Sequence, residues 1–145
     1  MATSRKAEVI WNGGLLDGSG EILSTTSGVL PNLPVTWASR SEEPNGKTSP
    51  EELIAAAHAA CFAMALSFAL ANAETPPARL ETSSTVTFQP GEGITGIALT
   101  VRGLVPGLGD AEFLAAAEDA KANCPVSQAL AGVDISLASV ELASS

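Results

Sequence analysis

Ser49-Pro50-Glu51-Glu52-Leu53-Ile54-Ala55-Ala56-Ala57-His58-Ala59-Ala60-Cys61-Phe62-Ala63-Met64-Ala65-Leu66 opens the longest uncharged run of the chain, and its reading decides the rest. Ser49 is a helix-capping residue type, Pro50 suits the first helical position, and Glu52 stands where a capping box places its carboxylate. From Leu53 to Ala71 there follow 19 residues without a formal charge, interrupted by His58 and Ser67, and nine of them are alanine. That length would cross a bilayer. No Lys or Arg flanks the run closely and no second such segment exists, so the pattern predicts a central helix of a folded domain, covered on most faces. A domain of 145 residues supplies only part of that cover. A partner subunit is expected to supply the remainder.

Length and composition set the frame around this helix. The 145 residues fit one domain, 1–145, able to bury a core without disulfide staples. Hydrophobic residues are 46% of the chain but aromatic residues only 4%, with no Tyr, so the core is expected to be built largely from Ala, Val, Leu and Ile. Sixteen acidic residues against seven basic ones give a net charge of -9, which repels phosphate backbones and anionic lipid. Nucleic acid and membrane are therefore excluded as expected partners. Charged residues at 16% and a mean hydropathy of +0.25 are too apolar for a disordered chain. Met1 to Ile10 carries Arg5 and Lys6 with no apolar stretch of signal-peptide length behind them, so a cytoplasmic location is expected. In a reducing compartment Cys61 and Cys124 are buried thiols or a redox pair rather than a permanent staple.

Outward from the helix the chain reads as extended segments. Glu8 to Trp11, Glu21 to Thr26 and Val35 to Arg40 predict an antiparallel meander, and Ser41 to Ser49 predicts a solvated loop. Beyond the helix, Leu80 to Gln89 alternates with period two, and Gly96 to Val105 repeats the pattern with Ile97, Leu99 and Val101 on one side. Asp110 is expected to cap a second helix to about Asn123, Pro125 to open a helical turn, and Val133 to Leu142 to close the chain as a strand.

Several motifs carry chemistry. Gly91-Glu92-Gly93-Ile94-Thr95-Gly96 matches G-x-G-x-x-G, but a dinucleotide site needs a helix directly after the glycines, and here a strand follows. The glycines are read as a turn. Two Cys and one His without C-x-x-C spacing do not complete a metal site, so neither metal nor cofactor is expected. His58 lies three residues before Cys61 on one helical face. The imidazole could assist the thiol or simply pack in an Ala-rich interface, and no third group that would orient it is visible. Cys61 sits mid-helix, where burial alone raises a thiol's pKa, so a reactive Cys61 needs a cation. Among the seven cations Arg40, just before the loop into the helix, is best placed.

The run Ser49 to Leu66, together with Cys124-Pro125-Val126-Ser127-Gln128-Ala129-Leu130 and the upstream Ser27-Gly28-Val29-Leu30, resembles the OsmC/Ohr family of thiol peroxidases over essentially the whole chain. The resemblance implies an α+β, OsmC-like fold with antiparallel sheets around a long central helix, in an intertwined homodimer. It implies an organic hydroperoxide substrate, Cys61 as peroxidatic thiolate, Cys124 as the thiol that resolves its sulfenic acid as a disulfide, and an external dithiol reductant. Arg40 and Glu51 would then set the reactivity. The Ohr branch carries its arginine early, whereas Leu15 to Glu21 has none here, so Arg40 points to the OsmC branch. Ser41 departs from that branch, where the position is often aromatic. A noncatalytic dimer that holds a small lipophilic ligand is the competing reading, sharing the fold and the cysteines without needing a thiolate. Glu51 and Cys61 are ten positions apart on one helix, about 15 Å along its axis, so a Glu51 that braces the arginine beside Cys61 would have to come from a second chain.

Overall fold

Residues 1–144 are described by a computed structural model, in which the chain divides into two compact units, Met1–Leu53 and Ile54 onward. The first unit holds β1 (Ala7–Asn12), β2 (Ser19–Thr25) and β3 (Leu33–Val35), an antiparallel sheet in that order. Gly20 is required in β2 because the Trp11 ring lies across it: a Cβ there would stand 2.5 Å from Trp11 Cε3. The third strand is shorter than the expected Val35 to Arg40. It ends at Val35, and Trp37–Ser41 forms a short helix, α1.

The cause is local. Ser39 N–H donates to Thr36 Oγ1 at 3.0 Å and Thr36 N–H donates to Ser39 Oγ at 3.0 Å, a reciprocal cap that turns the chain into a helix. Thr48 N–H then donates to Pro34 O at 2.9 Å, and the Ser39 hydroxyl donates to Thr48 O at 2.9 Å. These bonds fasten the end of the solvated loop to β3, just before the next helix starts.

That helix, α2 (Pro50–Asn72), begins where the sequence signals it. Glu52 N–H donates to Ser49 Oγ at 3.2 Å, and the Glu52 carboxylate accepts the Thr48 hydroxyl at 2.7 Å. Glu51 and Glu52 place negative charge at the helix N-terminus, where the peptide dipoles favour it.

The second unit contains β4 (Arg79–Gln89), β5 (Gly93–Leu104), α3 (Asp110–Asn123), α4 (Pro125–Ala129) and β6 (Ile135–Leu142). β4 and β5 form an antiparallel hairpin whose turn uses Gly91 at φ +88 and Gly93 at φ +96, so the glycine motif is a turn leading into a strand. β6 pairs with β5 in parallel, which makes this sheet mixed where wholly antiparallel sheets were expected. A parallel neighbour needs a crossover, and α3 with α4 supplies it. Gly109, rather than Asp110, occupies the cap of α3, and Asp110 lies in the first turn.

The core of this unit joins Phe62, Leu66 and Leu70 of α2, Ile97, Leu99 and Val101 of β5, and Phe113, Ala117 and Ala120 of α3, all buried. A spacing of four along α2 makes its buried residues one stripe. Thr82 Oγ1 of β4 donates to Ala59 O at 2.9 Å, a further tie to the helix. The opposite stripe is open: Met64 is 72% and Phe68 70% exposed. By length and composition α2 would cross a membrane. Its buried stripe packs in the core and its His58 is hydrogen-bonded, but only 22% of its most apolar stretch is buried within the one chain, so the expected cover on most faces is not supplied by this chain alone.

Candidate active site

Cys61 sits on the flank of α2 between the buried Phe62 and the exposed Ala60, and it is half-buried. Cys124 arrives from the other direction. The proline at 125 disfavours helical geometry in the residue before it, so α3 stops at Asn123 and Cys124 takes the extended conformation, φ -63 and ψ 138. The chain re-enters helix at Pro125, whose missing N–H costs nothing at a first helical position. Cys124 thus becomes the N-cap of α4, with its fully buried sulfur turned toward the helix start.

The two thiols meet there. The Cys124 thiol and the Val126 backbone N–H, in the first turn of α4, both lie close enough to the Cys61 sulfur to act on its charge. Both cysteines are free. Burial pushes the Cys61 thiol up, the Val126 N–H works against it, and neighbouring Cys124 adds to the rise. The thiolate is therefore disfavoured by its immediate surroundings, as the mid-helix position predicts.

His58 lies one turn before Cys61 and is fully buried. It is directed neither at Cys61 nor at inert packing alone: its Nε2 is 2.7 Å from Ser127 Oγ, which in turn lies 3.2 Å from Cys124 Sγ. Burial lowers the His58 pKa, which favours the neutral ring. Ser127 is the orienting group absent from the sequence reading. Its signal was the third position after Cys124, the site from which a residue in the first helical turn reaches back to the cap.

Beside Cys61 opens a groove of about 820 Å³, walled by Met64, Ala65 and Phe68 of α2 and by Ala120 and Pro125. Its lining is predominantly apolar, with Asp119, Asn123 and Asn72 among the polar contributors. No group of three or more His, Cys, Asp or Glu side chains able to hold a metal ion occurs among the described residues.

The other two candidates pair in the first unit. Arg40, in the last turn of α1, and Glu51, in the first turn of α2, make a forked ion pair: Nε donates to Oε1 at 3.0 Å and Nη2 to Oε2 at 2.9 Å. The Glu51 side chain is 8% exposed and that of Arg40 32%. A planar guanidinium gripped by both carboxylate oxygens is fixed in orientation as well as charge. Ser41 donates its hydroxyl to Trp37 O at 2.9 Å, closing the short helix. The four sequence-selected residues thus fall into two pairs, Arg40 with Glu51 and Cys61 with Cys124.

The chain as a whole is similar to known proteins. The chain is 43% identical over 133 residues to the peroxiredoxin OsmC of Escherichia coli strain K12, covering 90% of this chain and 92% of that protein. Among solved structures it resembles the organic hydroperoxide resistance protein OsmC of Legionella pneumophila, at 28% identity and a TM-score of 0.66 over 94% of this chain and 96% of the other. It also resembles the organic hydroperoxide resistance protein OhrB of Bacillus subtilis, at 25% identity and a TM-score of 0.64 over 95% and 98%. Residues 43–138, from the loop before α2 into β6, match the family described as OsmC-like protein, and the chain belongs to that family.

Proposed function

We propose that this protein is a cysteine-based peroxidase that reduces organic hydroperoxides in defence against oxidative or osmotic stress. The observation that carries the reading is the meeting of two free thiols, Cys61 and Cys124, beside an apolar groove. The Cys61 sulfur attacks the outer oxygen of the hydroperoxide; the O–O bond breaks, an alcohol leaves, and Cys61 becomes a sulfenic acid. Cys124 sulfur then attacks Cys61 sulfur, the S–O bond breaks, and water departs as the disulfide forms. An external dithiol returns both cysteines to thiols and is itself oxidised to a disulfide. Sulfur and oxygen exchange all the electrons, so no bound metal or cofactor takes part.

The groove favours an alkyl or aryl hydroperoxide over hydrogen peroxide, since each methylene buried there contributes about 0.8 kcal/mol. A noncatalytic lipophile-binding protein would account for the groove but gives no reason for two neighbouring free thiols. The reading treats residues 1–145 as one functional domain, supported by a family match that begins in the first unit and runs deep into the second.

Cys61 needs a positive charge to become a thiolate, because its own surroundings push the other way. Arg40 is held by Glu51, and Glu51 stands about 15 Å from Cys61 along α2. The charge is therefore assigned to the Arg40–Glu51 pair of a second copy, in an intertwined homodimer with composite sites. The exposed Met64 and Phe68, which also wall the groove, are apolar surface that such a dimer would cover in part, so that the second copy would close the outer side of the groove. A reducing cytoplasm suits an enzyme whose resting state has both cysteines free.

Thiol counting tests the reading. One equivalent of cumene hydroperoxide per chain should consume two thiols, and a dithiol should restore both. Cys61→Ser should abolish turnover, whereas Cys124→Ser should leave one oxidation per chain followed by sulfenic or sulfinic acid at Cys61. Turnover of the Cys124 variant at the wild-type rate with the same reductant would remove Cys124 from the mechanism.

A further inference from the structure

His58 takes no part in the chemistry above, yet it is the chain's only histidine and is fully buried. Its two ring nitrogens are treated differently. Nε2 is 2.7 Å from Ser127 Oγ, while the buried Nδ1 has no hydrogen-bond partner. A buried N–H without an acceptor is rarer than an acceptor without a donor, so the proton of the neutral ring belongs on Nε2. Burial, which lowers the pKa of the ring, keeps it neutral.

The hydrogen-bond directions then follow in order. His58 Nε2–H donates to Ser127 Oγ, and the hydroxyl proton of Ser127 is left to point at Cys124 Sγ, 3.2 Å away. The backbone N–H of Ser127 donates to the same sulfur at 3.4 Å. Two donors from one residue thus converge on the Cys124 sulfur, and the far end of the chain is anchored on α2 one turn from Cys61.

We infer that His58 and Ser127 are positioning residues for disulfide closure: His58 fixes the direction of the Ser127 hydroxyl, and Ser127 holds the Cys124 sulfur toward the oxidised Cys61. The inference rests on the reading of Cys124 as the resolving thiol. During closure the Cys124 sulfur bonds to the Cys61 sulfur, the S–O bond of the sulfenic acid breaks, and the thiol proton leaves with the hydroxyl oxygen as water. His58 and Ser127 end the step with the protons they began with. Their contribution is to the rate of closure and to its advantage over attack by a second peroxide molecule.

Rapid quenching after mixing with cumene hydroperoxide, with mass analysis of dimedone-trapped sulfenic acid, disulfide and sulfinic acid, separates the two steps. Ser127→Ala should slow closure about tenfold, the scale of one lost hydrogen bond to a reacting group, and leave the first oxidation of Cys61 within about twofold. Sulfinic acid should accumulate at lower peroxide. Ser127→Thr keeps the hydroxyl and should recover most of the closure rate. His58→Gln retains an N–H donor and should close faster than His58→Leu. Closure by Ser127→Ala at the wild-type rate would overturn the inference, as would equal rates for the Gln and Leu variants. Where His58→Leu fails to fold, the Ala–Thr contrast at Ser127 decides alone. Failure of the underlying reading looks different: a Cys124→Ser protein turning over at the wild-type rate removes the resolving role itself, whereas a blocked Cys124→Ser with an unaffected Ser127→Ala removes only the positioning.

Discussion

Replacing Gly103 by alanine should loosen the packing that sets where Cys124 stands. Gly103 lies in β5 opposite Leu80 of β4 and Leu142 of β6. A Cβ there would approach Phe113 Cζ to 2.6 Å, Phe113 Cε1 to 3.0 Å and Leu80 Cδ2 to 3.1 Å. Carbon atoms rest at about 3.5–4.0 Å, so the ring has to retreat by about 1 Å. Phe113 is 1% exposed and cannot swing into solvent, so α3 must move with it. Overpacking of this kind costs about 1–3 kcal/mol, offset by about 0.4–1 kcal/mol because alanine restricts the unfolded chain. A net loss of about 1–2 kcal/mol lowers the melting temperature of a chain this long by about 3–8 °C. Calorimetry at one fixed protein concentration measures it. Because α3 runs directly into Cys124, disulfide closure should slow while the first oxidation of Cys61 does not. Phe113→Leu shortens the side chain that collides, so the double variant should lose less than the sum of the two singles by about 1 kcal/mol. Strict additivity, or a melting temperature for Gly103→Ala within about 1 °C of wild type, would refute the collision.

Mixing inactive Cys61→Ser and inactive Arg40→Ala chains should restore about a quarter of wild-type activity, since half of the random dimers then carry one intact composite site. No recovery, with heterodimers confirmed by native mass spectrometry, would place all four groups in one subunit. Phe68→Glu, on the open stripe of α2, should halve the particle mass in light scattering while secondary structure by circular dichroism persists; an unchanged mass would remove α2 from the interface. His58 has its pKa lowered by burial, so the unfolded chain takes up the proton first as pH falls below about 6.5. The stability that the neutral ring contributes is complete above that pH and is lost as pH drops toward the folded value; thermal melts of His58→Gln should show a shallower acid slope than wild type, and identical slopes would exclude His58 as a source.

What the sequence revealed is what depends on neighbouring residues. Ser49, Pro50 and Glu52 announce the start of α2 because a helix cap is a contact over three or four positions. The alternation of Leu80, Thr82, Ser84, Val86 and Phe88 is the inward face of β4 because strand periodicity is intrinsic to an extended chain. Trp37 to Arg40, expected as the end of a strand, is helical because the reciprocal capping of Thr36 and Ser39 turns the chain after Val35. The parallel placement of β6 depends on where a crossover returns, which no local pattern encodes. The site divides in the same way. Arg40 was visible as the cation just before the loop into the helix, whereas Glu51 was selected only through the family resemblance; the two pair in the structure. Ser127 was quoted within a motif but given no role, since its partner lies 69 positions away in α2.

The position of Cys61 separates two demands that one environment cannot meet together. Its flank of α2 is apolar, which suits an organic hydroperoxide, but the same burial disfavours the thiolate. The Val126 N–H opposes this only in part. A cation fixed beside Cys61 within the apolar wall would have to be desolvated in the same place, at a cost that its attraction to the thiolate repays poorly without further partners. The Arg40–Glu51 pair offsets part of that cost, because the guanidinium is already held by both oxygens of a buried carboxylate. In the proposed dimer a second copy would bring it to the sulfur, supplying charge where the groove supplies apolar contact, and an unassembled chain would then lack the cation that favours the Cys61 thiolate. On this account the open stripe of α2 serves the chemistry as much as the stability of the protein: covering it is the event that completes the site.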